Sequence, residues 1–173
     1  MTTELIRDFV NTRELLENEE SLGSPDELVA WLGKQSLTRG EVEATSADLK
    51  RAVELREALR QLLLEHTGVD VDRDAASAVL DRTARRGRIE LCFEQCHGAL
   101  TVGATGVDAA LGRLVIAVHH AMDDGSWERL KACRASDCEW AFVDTARNHS
   151  RSWCSMASCG NREKARAFRE RHR

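Results

Sequence analysis

No run of apolar residues in this chain is long enough to cross a bilayer. The longest strongly apolar stretch, residues 114–118, falls far short of the roughly 20 residues that a spanning helix needs. Glu4, Arg7 and Asp8 interrupt the first turns and no apolar leader core follows, so neither a secretory signal nor a membrane partner is expected. Proline is almost absent: the single one, Pro25, stands where it opens a helix rather than where it would break one. No nucleophile–base pair with recognisable spacing is present, which argues against an enzyme. These absences predict a soluble, cytoplasmic protein whose thiols stay reduced, so its cysteines read as metal ligands rather than as disulfides.

At 173 residues the chain is long for one domain and short for two full ones. Its net charge of −4 hides an uneven distribution. Residues 128–173 carry eleven Lys/Arg against six Asp/Glu, and the remainder carries fourteen against twenty-three. An acidic body with a basic tail points to a tail that meets a polyanion, the alternative being a solvated charged helix.

Residues 1–125 read as a helical body with one β-hairpin. Leu5, Ile6, Phe9 and Val10 mark a first amphipathic helix. Ser24, Pro25 and Glu27 form a start signal for a second, with Ser24 as cap and Glu27 completing a capping box. A long helix is expected over about 41–66, ended by Gly68, and another over about 71–85. The period then changes: Ile89, Leu91 and Phe93 alternate with polar residues as a half-buried strand, Gly98 supplies a turn, and Leu100 and Val102 return. A last helix spans about 107–123.

The polar candidates of this body are few. Arg56 falls within the apolar stripe of the long helix, with Arg60 on its flank, so its guanidinium needs either a carboxylate or an anionic ligand. Asn11 is the second candidate ligand-binding residue, and a helix-end hydrogen bond would also explain it. His119 and His120 are adjacent on one helix and point about 100° apart, which keeps them from sharing a metal. Cys92 and Cys96 lie about 13 Å apart if the strand stays extended, beyond disulfide reach, so edge thiols are the favoured reading over a redox pair or second metal.

Residues 126–173 have a different character. Cys133-x4-Cys138 and Cys154-x4-Cys159 are two short-spaced pairs, the arrangement that a tetrahedral four-thiolate zinc site needs. Free or redox-active thiols are the alternative. A module this small cannot hold its fold by apolar burial alone, so one structural zinc would supply much of its folding free energy. The segment between the pairs reads as a β-hairpin, and a helix starts at or just after Cys159. On that helix Arg162, Arg166, Arg169 and Arg173 span only about 60° at 100° per residue, a single guanidinium stripe suited to DNA. Ala165, Phe168 and His172 would pack on the zinc hairpin, with Glu163 and Glu170 bordering the stripe.

The tetrad Cys159-Gly160-Asn161-Arg162, preceded by the two cysteine pairs and by Trp153-Cys154-Ser155-Met156, resembles the CGNR zinc finger. The body resembles the ABATE domain in Asp8-Phe9-Val10-Asn11-Thr12, in the helix bearing Trp31 and Leu32, and in Leu55-Arg56-Glu57-Ala58-Leu59. This resemblance implies a zinc-dependent transcriptional regulator with a stress-sensing first domain. The leading expectation is therefore a duplex-DNA-binding regulator whose body senses an unknown small-molecule ligand or forms a homodimer. The runner-up is a zinc-stabilised module that contacts protein or RNA.

Overall fold

The computed structural model describes residues 2–94 and 97–172. Five helices build the first part: α1 (Thr2–Val10), α2 (Pro25–Lys34), α3 (Ser46–Glu65), α4 (Arg73–Gly87) and α5 (Gly106–Asp123). A two-residue ladder, β1 (Arg13–Glu14) with β2 (Glu19–Glu20), follows α1, and β3 (Ile89–Glu94) pairs antiparallel with β4 (His97–Val102). A 3-10 turn (Trp127–Arg129) then leads into β5 (Leu130–Ala132), β6 (Ala141–Val143), a π-helical turn (Met156–Gly160) and α6 (Asn161–Arg171). The fold is mainly α with antiparallel hairpins, and a four-cysteine cluster follows the helical region.

Local chemistry sets the helix ends. Ser24 Oγ accepts the Glu27 amide at 3.2 Å, but Glu27 Oε2 reaches back to the Gly23 amide, one residue before the cap. The long helix begins at Ser46 rather than near residue 41. Thr45 and Asp48 close a reciprocal capping box there, with Asp48 N to Thr45 Oγ1 at 3.2 Å and Thr45 N to Asp48 Oδ2 at 2.8 Å. After α3, Gly68 takes a φ of +79°, a left-handed turn that glycine makes without strain.

Phe9, Leu28, Leu32, Leu55, Leu59, Leu63, Leu111 and Leu114 are fully buried and form the core. That core continues into Trp127, Leu130, Ala132 and Ala141, so β5 and β6 pack on the helices. A smaller cluster gathers Cys133, Ala135, Cys138, Phe142 and Cys159. Helices α4 and α5 cross closely at two glycines: a Cβ on Gly87 would stand 2.9 Å from the Gly112 Cα.

The β3–β4 register places Leu91 opposite Leu100 and Phe93 opposite Gly98 on one face. The half-buried expectation holds only near the root, where Val102 lies against Gly112. Farther out Leu91 is 58% and Phe93 78% exposed, because the hairpin projects past the helices that cover its base. No helix among the described residues is long and apolar enough to cross a membrane.

Candidate metal centre and basic helix

The first cysteine pair sits in the connection between β5 and β6. Leu130 pairs with Val143 and Ala132 with Ala141, and the Cys133 amide donates to the Trp140 carbonyl at 2.9 Å. Cys138 N and Glu139 N both donate to the Ala135 carbonyl, at 2.9 and 3.1 Å, while Glu139 takes a left-handed φ of +49°. The hairpin therefore brackets the first pair instead of lying between the two pairs as expected. The segment after β6 returns as a loop, and Cys154 and Cys159 flank the entry into the π-helical turn. Ser155 caps that turn by accepting the Ser158 amide.

All four sulfurs of Cys133, Cys138, Cys154 and Cys159 lie within 4.8 Å of one another. Cys138 to Cys154 is 3.7 Å and Cys154 to Cys159 is 3.6 Å, too long for disulfides. A tetrahedron of about 2.3 Å Zn–S bonds has edges of about 3.8 Å, so the cage has the size of a zinc thiolate centre. The sulfurs by themselves are in electrostatic conflict. The Cys138 thiol's hydrogen bond to Cys133, aided by backbone amides of Cys154 and Ala135, draws Cys133 down to about 5 against the effect of burial. That same bond and burial push Cys138 well up, and burial with the Cys133 charge pushes Cys154 to about 12. A divalent cation at the centre removes the conflict by balancing several thiolates at once.

Residues 129–172 match the CGNR zinc finger, and residues 4–125 match ABATE, described as "putative stress-induced transcription regulator". The chain belongs to the ABATE family and carries a CGNR finger. No curated protein matches it. The four clustered cysteines of the finger are the site for one structural zinc ion. Bound there, zinc ties the two cysteine turns together, and four thiolates leave it no open coordination position for chemistry.

The tetrad of the CGNR finger is legible in this geometry. A Cβ on Gly160 would collide with Met156 Sδ and come within 3.2 Å of Trp153 Cδ1. Asn161 Nδ2 donates to the Ala157 carbonyl, stitching the π-helical turn to α6. Arg162 Nη2 donates to Asp137 Oδ1 at 3.0 Å and points to Cys159 Sγ at 3.5 Å. Asp137 belongs to the first cysteine turn, so this guanidinium joins the two turns from outside the metal. The loop after β6 hangs on a buried ion pair, Lys131 Nζ to Asp144 Oδ2 at 2.8 Å. The same ammonium donates to the carbonyls of His149 and Arg151. Burial opposes the Asp144 charge, but hydrogen bonds from Lys131, Ala146 and Arg151 hold its carboxyl below the ordinary range.

Several polar residues fasten the finger to the ABATE body, His66 and Thr67 through the carbonyls of Leu130 and Ala132, and Asn11 and Arg60 through β6 and the first cysteine turn. Asn11 Nδ2 donates to the Ala141 carbonyl at 2.9 Å and Asn11 Oδ1 accepts the Ala141 amide at 2.8 Å. Arg60, 1% exposed, donates to the carbonyls of Glu139, Val10 and Arg13 and to Glu57. Arg60 stood on the flank of the apolar stripe, but nothing in the sequence indicated that its partners would be carbonyls far along the chain.

Arg56 and Asn11, the two expected ligand-binding residues, both have hydrogen-bond partners within the protein. Arg56 is 3% exposed and bidentate to Glu20, at 2.6 and 2.9 Å, with further bonds to Glu57 and Thr12. Burial opposes its charge, yet the bonds to Glu20 and Glu57 raise its pKa, so the guanidinium is satisfied within the protein. Asn11 does line an open cleft of about 780 Å³ beside Trp31, Lys34 and Trp140, but its amide is engaged with Ala141. Cys92 contacts Thr101 Oγ1 at 3.2 Å, and Cys96 lies outside the described residues. His119 and His120 belong to no metal-capable cluster among the described residues.

The arginines of α6 differ from one another. Arg162 is engaged at the cysteines, as above. Arg166 pairs with Glu163 at 3.2 Å and approaches Glu170 at 3.8 Å, so these carboxylates partly neutralise the stripe rather than merely border it. Arg169 makes no side-chain ion pair among the described residues, and Arg173 lies outside them. No residue of α6 is buried. Phe168, 57% exposed, stacks on His172 at 4.1 Å instead of packing on the zinc hairpin, because α6 leads away from the finger after its first turn.

Proposed function

We propose that this protein is a zinc-dependent, DNA-binding transcriptional regulator. In this reading α6 meets duplex DNA and the ABATE body senses a ligand or dimerises. The observation that carries it is α6 itself: an uncovered helix rich in cations, fixed at its root by a metal-bound turn. Burial of an apolar face normally accounts for a helix in a folded protein, and α6 buries none, so its sequence is free to serve an external surface. Arg169 and the neighbouring Lys164 and Arg171 are exposed for phosphate contacts. Arg166 would exchange its bonds to Glu163 and Glu170 for phosphate oxygens, and Arg173, outside the described residues, is a further candidate phosphate contact. Arg162 holds the finger together and positions the others. One short helix makes few base contacts, so useful specificity requires two copies on two half-sites.

Selection of bound fragments from random duplex DNA by the zinc-loaded protein tests the reading directly. A recovered sequence preference supports it. Replacing Arg166 and Arg169 together by alanine should weaken binding and reduce its salt slope by about one to two counterions. Unchanged affinity in that variant, with zinc retained, removes α6 as the reader.

One observation favours a second reading, a module that binds RNA or protein without sequence-specific duplex binding. The exposed Phe168–His172 stack is a platform on which an unpaired base could lie. Preference for single-stranded RNA over duplex DNA, lost in Phe168→Ala, would favour it.

A further inference from the structure

The body holds a cavity of about 270 Å³ lined by α4 and α5, with Leu62 and Glu65 of α3 and Trp127 completing the lining. Each helix turns one face to it. α4 presents Ser77, Leu80, Asp81 and Ala84, and α5 presents Val115, Val118, His119 and Met122, both at the i, i+3, i+4, i+7 spacing of a single helical face. Such faces normally interlock. Here the small side chains of Ser77 and Ala84 stand where larger ones would close the gap, and Met122 is left 48% exposed. The lining is thus largely apolar, with a few polar groups among it, the composition of a small-molecule site.

The charges in the lining select the ligand. Glu65 is neutralised by Arg73, whose Nη1 lies 3.2 Å from both carboxylate oxygens. Asp81 has no ion-pair partner among the described residues, so it is the unpaired carboxylate of this lining. We propose that the cavity binds a small aromatic or branched aliphatic amine, its apolar end against Trp127 and Leu80 and its ammonium at Asp81. The volume is about twice that of a cavity that holds benzene, which suits one ring with a short aminoalkyl arm. Trp127 opens the turn that leads into β5, and β5 is followed directly by Cys133. A ligand seated against this indole therefore bears on the strand that supplies the first zinc ligand.

This inference gives the sensing half of the proposed function a place. Its test involves no DNA, so it can fail or succeed apart from the DNA-binding reading. The full-length zinc-loaded protein is titrated with phenethylamine, following the Trp127 indole N–H resonance, assigned through Trp127→Phe, and the heat of binding. Ethylbenzene, which lacks the ammonium, and phenylacetate, which reverses the charge, are run beside it. Saturable binding of phenethylamine with a shifted Trp127 resonance is expected, with phenylacetate at least tenfold weaker. Asp81→Asn should weaken phenethylamine at least tenfold and leave ethylbenzene unchanged. Ala84→Leu should abolish binding of both; if it does not fold, Ser77→Leu fills the same space from one turn away. The inference is overturned if millimolar phenethylamine leaves the Trp127 resonance unmoved, if Asp81→Asn binds it as tightly as the parent, or if a folded, filled variant still binds.

Discussion

The side chain of Asn11 and the backbone of Ala141 exchange two hydrogen bonds, at 2.9 and 2.8 Å, across 130 residues of sequence. The carboxamide copies the pairing of a neighbouring strand, so β6 is paired with β5 on one edge and with Asn11, just past the end of α1, on the other. Asn11→Ala leaves an amide and a carbonyl of the finger without partners. A loss of about 1–3 kcal/mol is expected, read as a lower melting temperature and as faster hydrogen exchange at the Ala141 amide. Asn11→Asp, which keeps the acceptor and loses the donor, should fall between the parent and the alanine variant.

Removal of zinc should release the cysteine turns while leaving the helices in place. The strands β5 and β6 lie on the body core, so the expected outcome is local: α6 and the loop after β6 lose their order. Trp140 and Trp153 pack beside the cysteines, and their emission should shift on chelation, with one zinc recovered per chain by metal analysis. Cys133→Ser should bring about the same state without a chelator.

The crossing of α4 and α5 predicts a steric effect with no change of polarity. Gly87→Ala places a methyl group 2.9 Å from the Gly112 backbone, closer than side-chain carbons approach. The helices must separate, and a destabilisation of about 1–3 kcal/mol is expected in denaturant unfolding. Because the same two helices wall the 270 Å³ cavity, the variant should also bind phenethylamine differently from the parent.

The Glu20–Arg56 pair should make stability depend on acid. Burial raises the Glu20 carboxyl and the bonds from Arg56 and Leu22 lower it, with a net shift below its ordinary value of 4.5. A depressed carboxyl contributes stability that is complete above its unfolded pKa and is lost as pH falls through the folded one. Glu20→Ala should destabilise by about 2 kcal/mol near neutrality, less than for a fully buried pair because the carboxylate keeps some contact with water. The gap between parent and variant should be constant above about pH 5 and narrow below pH 4.5. A gap that does not change with pH would show that Glu20 acts through packing alone.

Much of this molecule is visible in its sequence because the relevant signals are short-ranged. Ser24 with Pro25 and Gly68 with its turn act within one helical turn, and the two cysteine pairs announce their metal by spacing that a local turn must satisfy. The start of α3 lies later than the periodicity suggests for the same reason in reverse: the capping box of Thr45 and Asp48 outcompetes the weaker pattern of residues 41–44. Phe93 shows a different limit. Its alternation with polar residues is that of a half-buried strand, but burial depends on a neighbour, and the helices do not extend over the hairpin tip.

By itself, the sequence determined the helical class, the two cysteine turns and the cationic character of the last helix, since each depends on residue type and near spacing. What the buried cations do follows from long-range packing instead. Arg56 and Arg60 lie one turn apart on neighbouring positions of the helical wheel, yet one closes on Glu20 and the other on the carbonyl of Glu139, because folding brings different segments against successive turns of α3. Packing also decided that β5 and β6 share the core of the helices and that Arg162 reaches Asp137. These pairings join residues far apart in the chain, and their partners are chosen by packing and by the need to satisfy buried polar groups, which no local pattern encodes.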